Sequence, residues 1–376
     1  MMSSRLSSRI LFVGPLWQGS TCLSRLDGLR TLGLEIDCLD TTHWLPPGPR
    51  LLRSIVQRTY VHRSVRRMNL RLRALLQQTR YDVVWIEKGE WIYPWTLSWV
   101  RRQGCGVIHY STDDILGRYG HFWLHRMGIR NYDLYLTTNR WNVAEIRDRY
   151  GIKIVRAGMG FDSAFCHPID VSGLETLDVV FVGHWEPHTE DYIMALRNAG
   201  VDVQVWGYNW WKARNAGLRR VKPLPYADYA STIARAKMAL CSLSHWNRNE
   251  STGRSFEIPA IGTMMLAEYT PEHEFIYGDG KGAVLFSNLS ELVEKARYYL
   301  DNPAARKAIA IAGQAISKEP GHSWTDHIRR EWPIVERMLA PPGSMPVDDD
   351  DAPFWEGFRN GAPPSQAGKR IGRTDG

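Results

Sequence analysis

The chain has 376 residues, 44% of them hydrophobic, enough to bury a core spread over two or three domains. No apolar run approaches the roughly 18–20 residues that a helix needs to cross a bilayer, so helical membrane spans are not expected. The formal charge is +7, and the five cysteines include no Cys-x-x-Cys pair, which argues against a disulfide scaffold or structural zinc and fits a reducing cytoplasm.

The segment from Arg5 to Gly14 has a basic flank like that of a signal peptide, but its apolar part is too short. Residues 10–13 therefore read as a first buried strand. The turn after it, Gly14-Pro-Leu-Trp-Gln-Gly19, lacks Gly-x-Gly-x-x-Gly spacing and speaks against a dinucleotide oxidoreductase. Further strands are expected at 35–39, 83–87, 106–110, 134–138 and 153–155, with helical runs between most of them.

Residues 41–81 contain no Asp or Glu, while Arg50, Arg53, Arg58, Arg63, Arg66, Arg67, Arg71, Arg73 and Arg80 all fall there. Apolar residues recur among them at three- and four-residue steps, the pattern of one or two amphipathic basic helices. Such a face suits an anionic membrane surface, a phosphorylated acceptor, nucleic acid or plain solvation. Sparse aromatics within the stretch make nucleic acid the weaker partner. A cytoplasmic protein, free or peripheral on the inner face of the membrane, is the expectation.

Two acidic segments follow strands in this half. Glu87-Lys-Gly-Glu90 ends one strand and Ser111-Thr-Asp-Asp114 the next. Carboxylates there are costly to bury unless they meet water, a hydroxyl or a helix N-terminus. Asp113 and Asp114 read either as groups that orient or deprotonate an acceptor hydroxyl or as helix N-caps. His121 and His125 have the i, i+4 spacing of metal ligands but no adjacent Glu, so they read as ordinary core or surface histidines.

A boundary falls between 160 and 176, where turn-forming pairs cluster. A second alternating series follows at 178–183, 201–206, 238–243, 264–267 and 283–286. Short strands apolar on both faces belong to parallel sheets covered by helices. The expected fold is α/β, with two doubly wound Rossmann-like domains at 1–160 and 161–340 facing across a cleft. Helices are expected at 291–300, 304–316 and 324–339, the last interrupted by Pro333 and packing back toward the first domain. The Pro/Gly-rich tail 341–376 is expected to be disordered.

Ligands in such sheets bind at the carboxyl ends of the strands. Gly183-His184 follows the first strand of the second domain, where glycine lets backbone approach a phosphate. Trp206 and Gly207 follow the next strand and wall a base or sugar, or simply end the strand. Tyr226 follows an extended Pro-Leu-Pro that can present backbone groups to a base. The segment Asn249-Glu-Ser-Thr-Gly-Arg-Ser-Phe-Glu257 is the richest: a polar loop, then a helix start. Arg254 and Glu257 share one side of its first turn, and read as a phosphate and hydroxyl pair or as an intrahelical salt bridge. Glu250, Gly253 and Ser255 complete the candidate site.

The run Arg254-Ser-Phe-Glu-Ile-Pro-Ala-Ile-Gly262, with 291–300 and 306–313, resembles the C-terminal domain of CgeB-like glycosyltransferases. These are relatives of the retaining glycosyltransferases with the GT-B fold. In the first half, Ile86-Glu-Lys-Gly89, Tyr110-Ser-Thr-Asp-Asp114 and Thr138-Asn-Arg-Trp-Asn-Val143 look similar to the same family. The resemblance implies a transferase using a nucleotide-sugar such as a UDP- or GDP-sugar, without a tightly bound cofactor or catalytic metal. The nucleotide would sit on the second domain. The acceptor, a glycan, a lipid-linked group or another anionic molecule, would sit on the first. It assigns Glu257 to the ribose hydroxyls. An acid is expected eight residues earlier, where Asn249 stands beside Glu250. The basic pair the wider group keeps after the Gly183 strand is missing, which leaves Arg254 to meet the diphosphate. Two rivals stand beside this reading: a non-catalytic nucleotide-sugar or glycan-binding protein on the same fold, and a nucleic-acid-binding protein driven by the arginine stretch.

Overall fold

The computed structural model describes residues 8–44, 55–56, 58–117 and 122–339. Arg5, Arg50, Arg53, His121 and the 341–376 tail lie outside the described residues. Strands form where the sequence carries short runs apolar on both faces. In the first half these are β1 (Arg9–Gly14), β2 (Glu35–Asp40), β3 (Val83–Glu87), β4 (Gly106–Ser111), β5 (Leu134–Thr137) and β6 (Ile154–Arg156). They build one sheet in the order β2-β1-β3-β4-β5-β6, and every pairing is parallel.

The second half repeats the scheme with β7 (Leu177–Val182), β8 (Val203–Trp206), β9 (Ala236–Cys241), β10 (Met264–Glu268) and β11 (Val284–Phe286). Their order is β11-β10-β9-β7-β8, again all parallel. Parallel strands need crossovers, so helices cover both faces of each sheet and the strand residues pack as continuous apolar cores.

The basic stretch yields the helix Arg63–Gln78. Val65, Met68, Leu72 and Leu76 bury one face against the first sheet, leaving Arg63, Arg66, Arg67 and Arg71 exposed. The last described helix, Trp324–Leu339, is not interrupted by Pro333; it runs straight through. Pro333 is exposed, so the carbonyl it fails to serve faces water, while Ile328, Trp332 and Val335 hold the opposite face in the core. That helix crosses to the first sheet, where Gly28 of the helix Thr21–Arg30 lets Ile328 approach.

Candidate functional site

The C-terminal edges of both sheets border one cavity of about 900 Å³. Arg58, Tyr60, Lys88, Glu90, Asp113 and Phe122 line it from the first half, and Gly183, His184, Gly207, Lys212, Tyr229, Arg254 and Glu257 from the second.

On the second half, the helix Gly253–Ile261 opens at the cavity. Its first turn is capped internally: Ser255 Oγ accepts from the Thr252 N–H at 3.0 Å and also contacts His273 Nε2 at 2.7 Å. Ser255 is therefore fully buried and committed to the helix start. Arg254 donates to the carbonyls of Val182 (3.1 Å) and Ser242 (3.0 Å), tying together the ends of β7 and β9. The guanidinium is thus fixed beside the Gly183 turn with donors to spare. Glu257 accepts a hydrogen bond from the Tyr229 hydroxyl at 2.6 Å. Burial raises its carboxyl above the usual range, against the opposing pull of Tyr229 and Arg254. No ion pair joins Arg254 and Glu257 among the described residues, so the intrahelical salt bridge is not what holds them.

Two glycines permit this geometry. A Cβ on Gly183 would stand 2.7 Å from the Arg254 guanidinium. Gly207 has φ +145°, and a Cβ there would fall 1.7 Å from the Gly183 carbonyl oxygen. Only glycine allows these two turns to touch. His184 sits edge-on to Tyr208, and burial followed by Arg254 holds its imidazole below the ordinary range.

On the first half, β3 is followed by two successive left-handed residues, Lys88 (φ 65°) and Gly89 (φ 54°). A left-handed lysine is strained. Gly89 has no alternative, since a Cβ would meet the Tyr132 hydroxyl at 2.9 Å. The turn throws Lys88 and Glu90 into the cavity. Lys88 donates to Asp113, and despite burial Asp113 and Glu90 hold its ammonium above the ordinary range. Glu90 makes no hydrogen bond among the described residues. Burial, opposed by Lys88 and aided by Asp113, pushes its carboxyl up to about 7.

Other expected residues lie elsewhere. Asp114, next to Asp113, is wholly buried and faces away from the cavity. It pairs with Arg248 and accepts from Asn142 Nδ2 at 2.6 Å and from the Gly117 N–H at 2.8 Å. Glu250 accepts two 2.9 Å hydrogen bonds from Arg140 Nη1. Both pairs join the 244–252 loop of the second half to the first half. Asn139 adds a 2.8 Å bond to the Asn247 carbonyl. Tyr226 stacks on Phe165 at 3.8 Å and fills the space under Gly19. Trp206 packs into the second sheet's core. The signal for Tyr229 was present in the sequence, one helical turn beyond Tyr226. Lys212 was hidden in a tryptophan-rich stretch with no periodicity.

His188, His245 and Glu268 also cluster, with ligand atoms within 4.8 Å of one another. The two imidazoles stack face to face at 3.6 Å, and Glu268 is occupied by Ser242, the Leu243 N–H and His245. The set is satisfied as a brace for the loop after β9.

No curated protein matches the chain at a significant level. Residues 189–330 match a family described as glycosyl transferase-like. Among solved structures, sucrose-phosphate synthase from Thermosynechococcus elongatus superposes with a TM-score of 0.62 at 13% identity, over 88% of this chain and 99% of that one. HepE from Anabaena, solved with UDP-glucose, gives 0.61 at 12%, over 88% and 99%. A protein described as a UDP-N-acetylglucosamine 2-epimerase from Listeria monocytogenes gives 0.54 at 11%, over 91% and 100%. At such identities the likeness concerns the fold, and one fold hosts several chemistries. Among the described residues no helix is long and apolar enough to cross a membrane. The chain has the GT-B fold, with a glycosyl transferase-like segment in its second half.

Proposed function

We propose that the protein transfers a sugar from a nucleoside diphosphate sugar to an acceptor hydroxyl, as the resemblance to CgeB-like enzymes implies. The observation that carries this reading is the pairing, across one cavity, of an Arg254–Glu257 helix start with an acceptor-side group of Lys88, Glu90 and Asp113. Glu257, steadied by Tyr229, accepts the ribose hydroxyls. The backbone at Gly183 approaches the diphosphate, and Arg254 offsets the charge that grows as the glycosidic bond breaks. Lys212 lies on the cavity wall and supplies part of the charge that the missing basic pair would have given. The acceptor hydroxyl donates to the Glu90 carboxylate, which aims its lone pair at the anomeric carbon. Asp113 acts through Lys88, holding its ammonium beside Glu90. Retention of configuration and independence from metal remain with the family resemblance.

The test is calorimetry with UDP and GDP on the wild type and Glu257→Ala. Hydrogen bonds to a charged group contribute about 1.5–3 kcal/mol, so the variant should bind about 10- to 100-fold more weakly. Equal affinity would remove Glu257 from the site. UDP release from UDP-glucose then separates an enzyme from a binding protein: nucleotide binding without any turnover in a mixed acceptor pool would favour the latter.

A further inference from the structure

Three stretches of the first half carry no Asp or Glu: 41–81, 91–112 and 115–132. The fold brings parts of all three together. Trp123 Nε1 donates to the Arg58 carbonyl at 2.7 Å, and the Tyr93 hydroxyl donates to the Tyr60 carbonyl at 3.2 Å. Tyr60 packs edge-on to Trp123, and Tyr93 stacks on Trp95 at 4.5 Å. This surface displays large apolar side chains to solvent: Val61 is 78% exposed, Met127 64%, Trp95 61% and Trp123 42%. Arg58, Arg63, Arg66 and Arg67 are exposed on the same acid-free stretch as Val61. Lone exposed apolar residues are ordinary; a group of them tied together beside a run of exposed arginines is not.

We infer that this face docks the protein on an anionic lipid bilayer. Tryptophan and methionine suit the boundary between headgroups and acyl chains, and arginines suit the negative surface. Nucleic acid would favour the arginines but not exposed Val61 and Met127. The placement gives the face a use. Arg58, Tyr60 and Phe122 belong both to this region and to the cavity wall, so the cavity opens beside the docked surface. A lipid-borne acceptor would then reach Glu90 directly; that last step rests on the transfer reading, whereas docking does not.

The experiment is flotation of the full chain with phosphatidylcholine vesicles and with vesicles that also contain phosphatidylglycerol. The wild type should float with the anionic vesicles, poorly with the neutral ones, and less as salt rises. Arg63→Gln with Arg67→Gln should weaken binding roughly 25-fold, at about fivefold for each charge near the surface. Trp95→Ser with Met127→Ser should weaken it too, with unchanged thermal unfolding to show that the fold persists. Wild-type protein that stays in solution, or variants that float like the wild type, would overturn the inference. So would tight, steeply salt-dependent binding to duplex DNA that displaces the vesicles.

Discussion

Glu90→Gln is expected to slow the proposed sugar transfer, assayed as UDP release from UDP-glucose, by about 100-fold, the low end for a positioned acid–base group. The amide keeps the shape and loses the charge that receives the acceptor's hydrogen bond in the proposed reaction. The pH profile gives the sharper readout. Burial pushes the Glu90 carboxyl up to about 7. The groups that face it are Lys88 on its own turn, Asp113 from the end of β4, and Tyr60 from the chain before the basic helix. The wild-type rate should therefore rise with pH through about 7, because only the ionised form accepts the hydroxyl, and Glu90→Gln should lose that limb. The same shift affects stability with a definite sign. The folded value lies above the ordinary 4.5, so Glu90's contribution is fully present below 4.5 and is lost as pH rises through about 7. The glutamine variant should lose this share of the pH dependence and keep that of the other buried acids, such as Glu331, which burial pushes up to about 8. A variant that keeps both the wild-type rate and its pH limb would show that the acceptor proton takes another path.

Asp114→Ala should behave in the opposite way from a change at its neighbour Asp113. Asp114 is completely buried and bridges the halves through Arg248, which also pairs with Glu145. Removing one member of a buried pair costs about 3–5 kcal/mol, because the partners stay desolvated. Arg248 is about a third exposed and keeps Glu145, so about 3 kcal/mol is expected. Asn142 Nδ2 and the Gly117 N–H would also lose their acceptor. Denaturant unfolding would read the loss, and proteolysis should then cut more readily in the 244–252 loop. The pH sign also differs. Burial alone would raise the Asp114 carboxyl, but Arg248 and Asn142 hold it below the ordinary 3.8. Its stabilisation is present above that value and lost as pH falls below it. Asp113→Asn, at a site about a quarter exposed, should cost little stability and mainly disturb Lys88. Equal stability losses at both positions would contradict this division.

The strand series was legible because fully buried parallel strands leave one pattern, short apolar runs at regular intervals. All eleven described strands overlap the expected ones, with ends shifted by a residue or two. The break at Pro333 was misjudged for a local reason: sequence shows the missing N–H but not that this side of the helix faces water. The site residues divide in the same way. Gly183 and Gly207 follow strands directly, and Arg254 and Glu257 open the helix that comes after the β9 loop, so their position in the chain placed them at the sheet edge. Asp114 comes just after β4 and Glu250 lies in the loop after β9, yet both pair with the other half of the molecule.

The sequence by itself determined the two α/β halves, the helix start at Arg254 and the concentration of arginine without acids. Each of these follows from periodicity, turn chemistry or composition, which act over a few residues. Only the tertiary structure decided which of two adjacent aspartates meets the cavity, that Tyr229 supports Glu257, and that Glu90 stands beside Lys88 with no hydrogen bond among the described residues. It also decided that three acid-free stretches share one exposed face. Those outcomes depend on contacts between residues tens of positions apart, and on the direction in which a strained turn or a loop carries a side chain. Neither is written in local spacing.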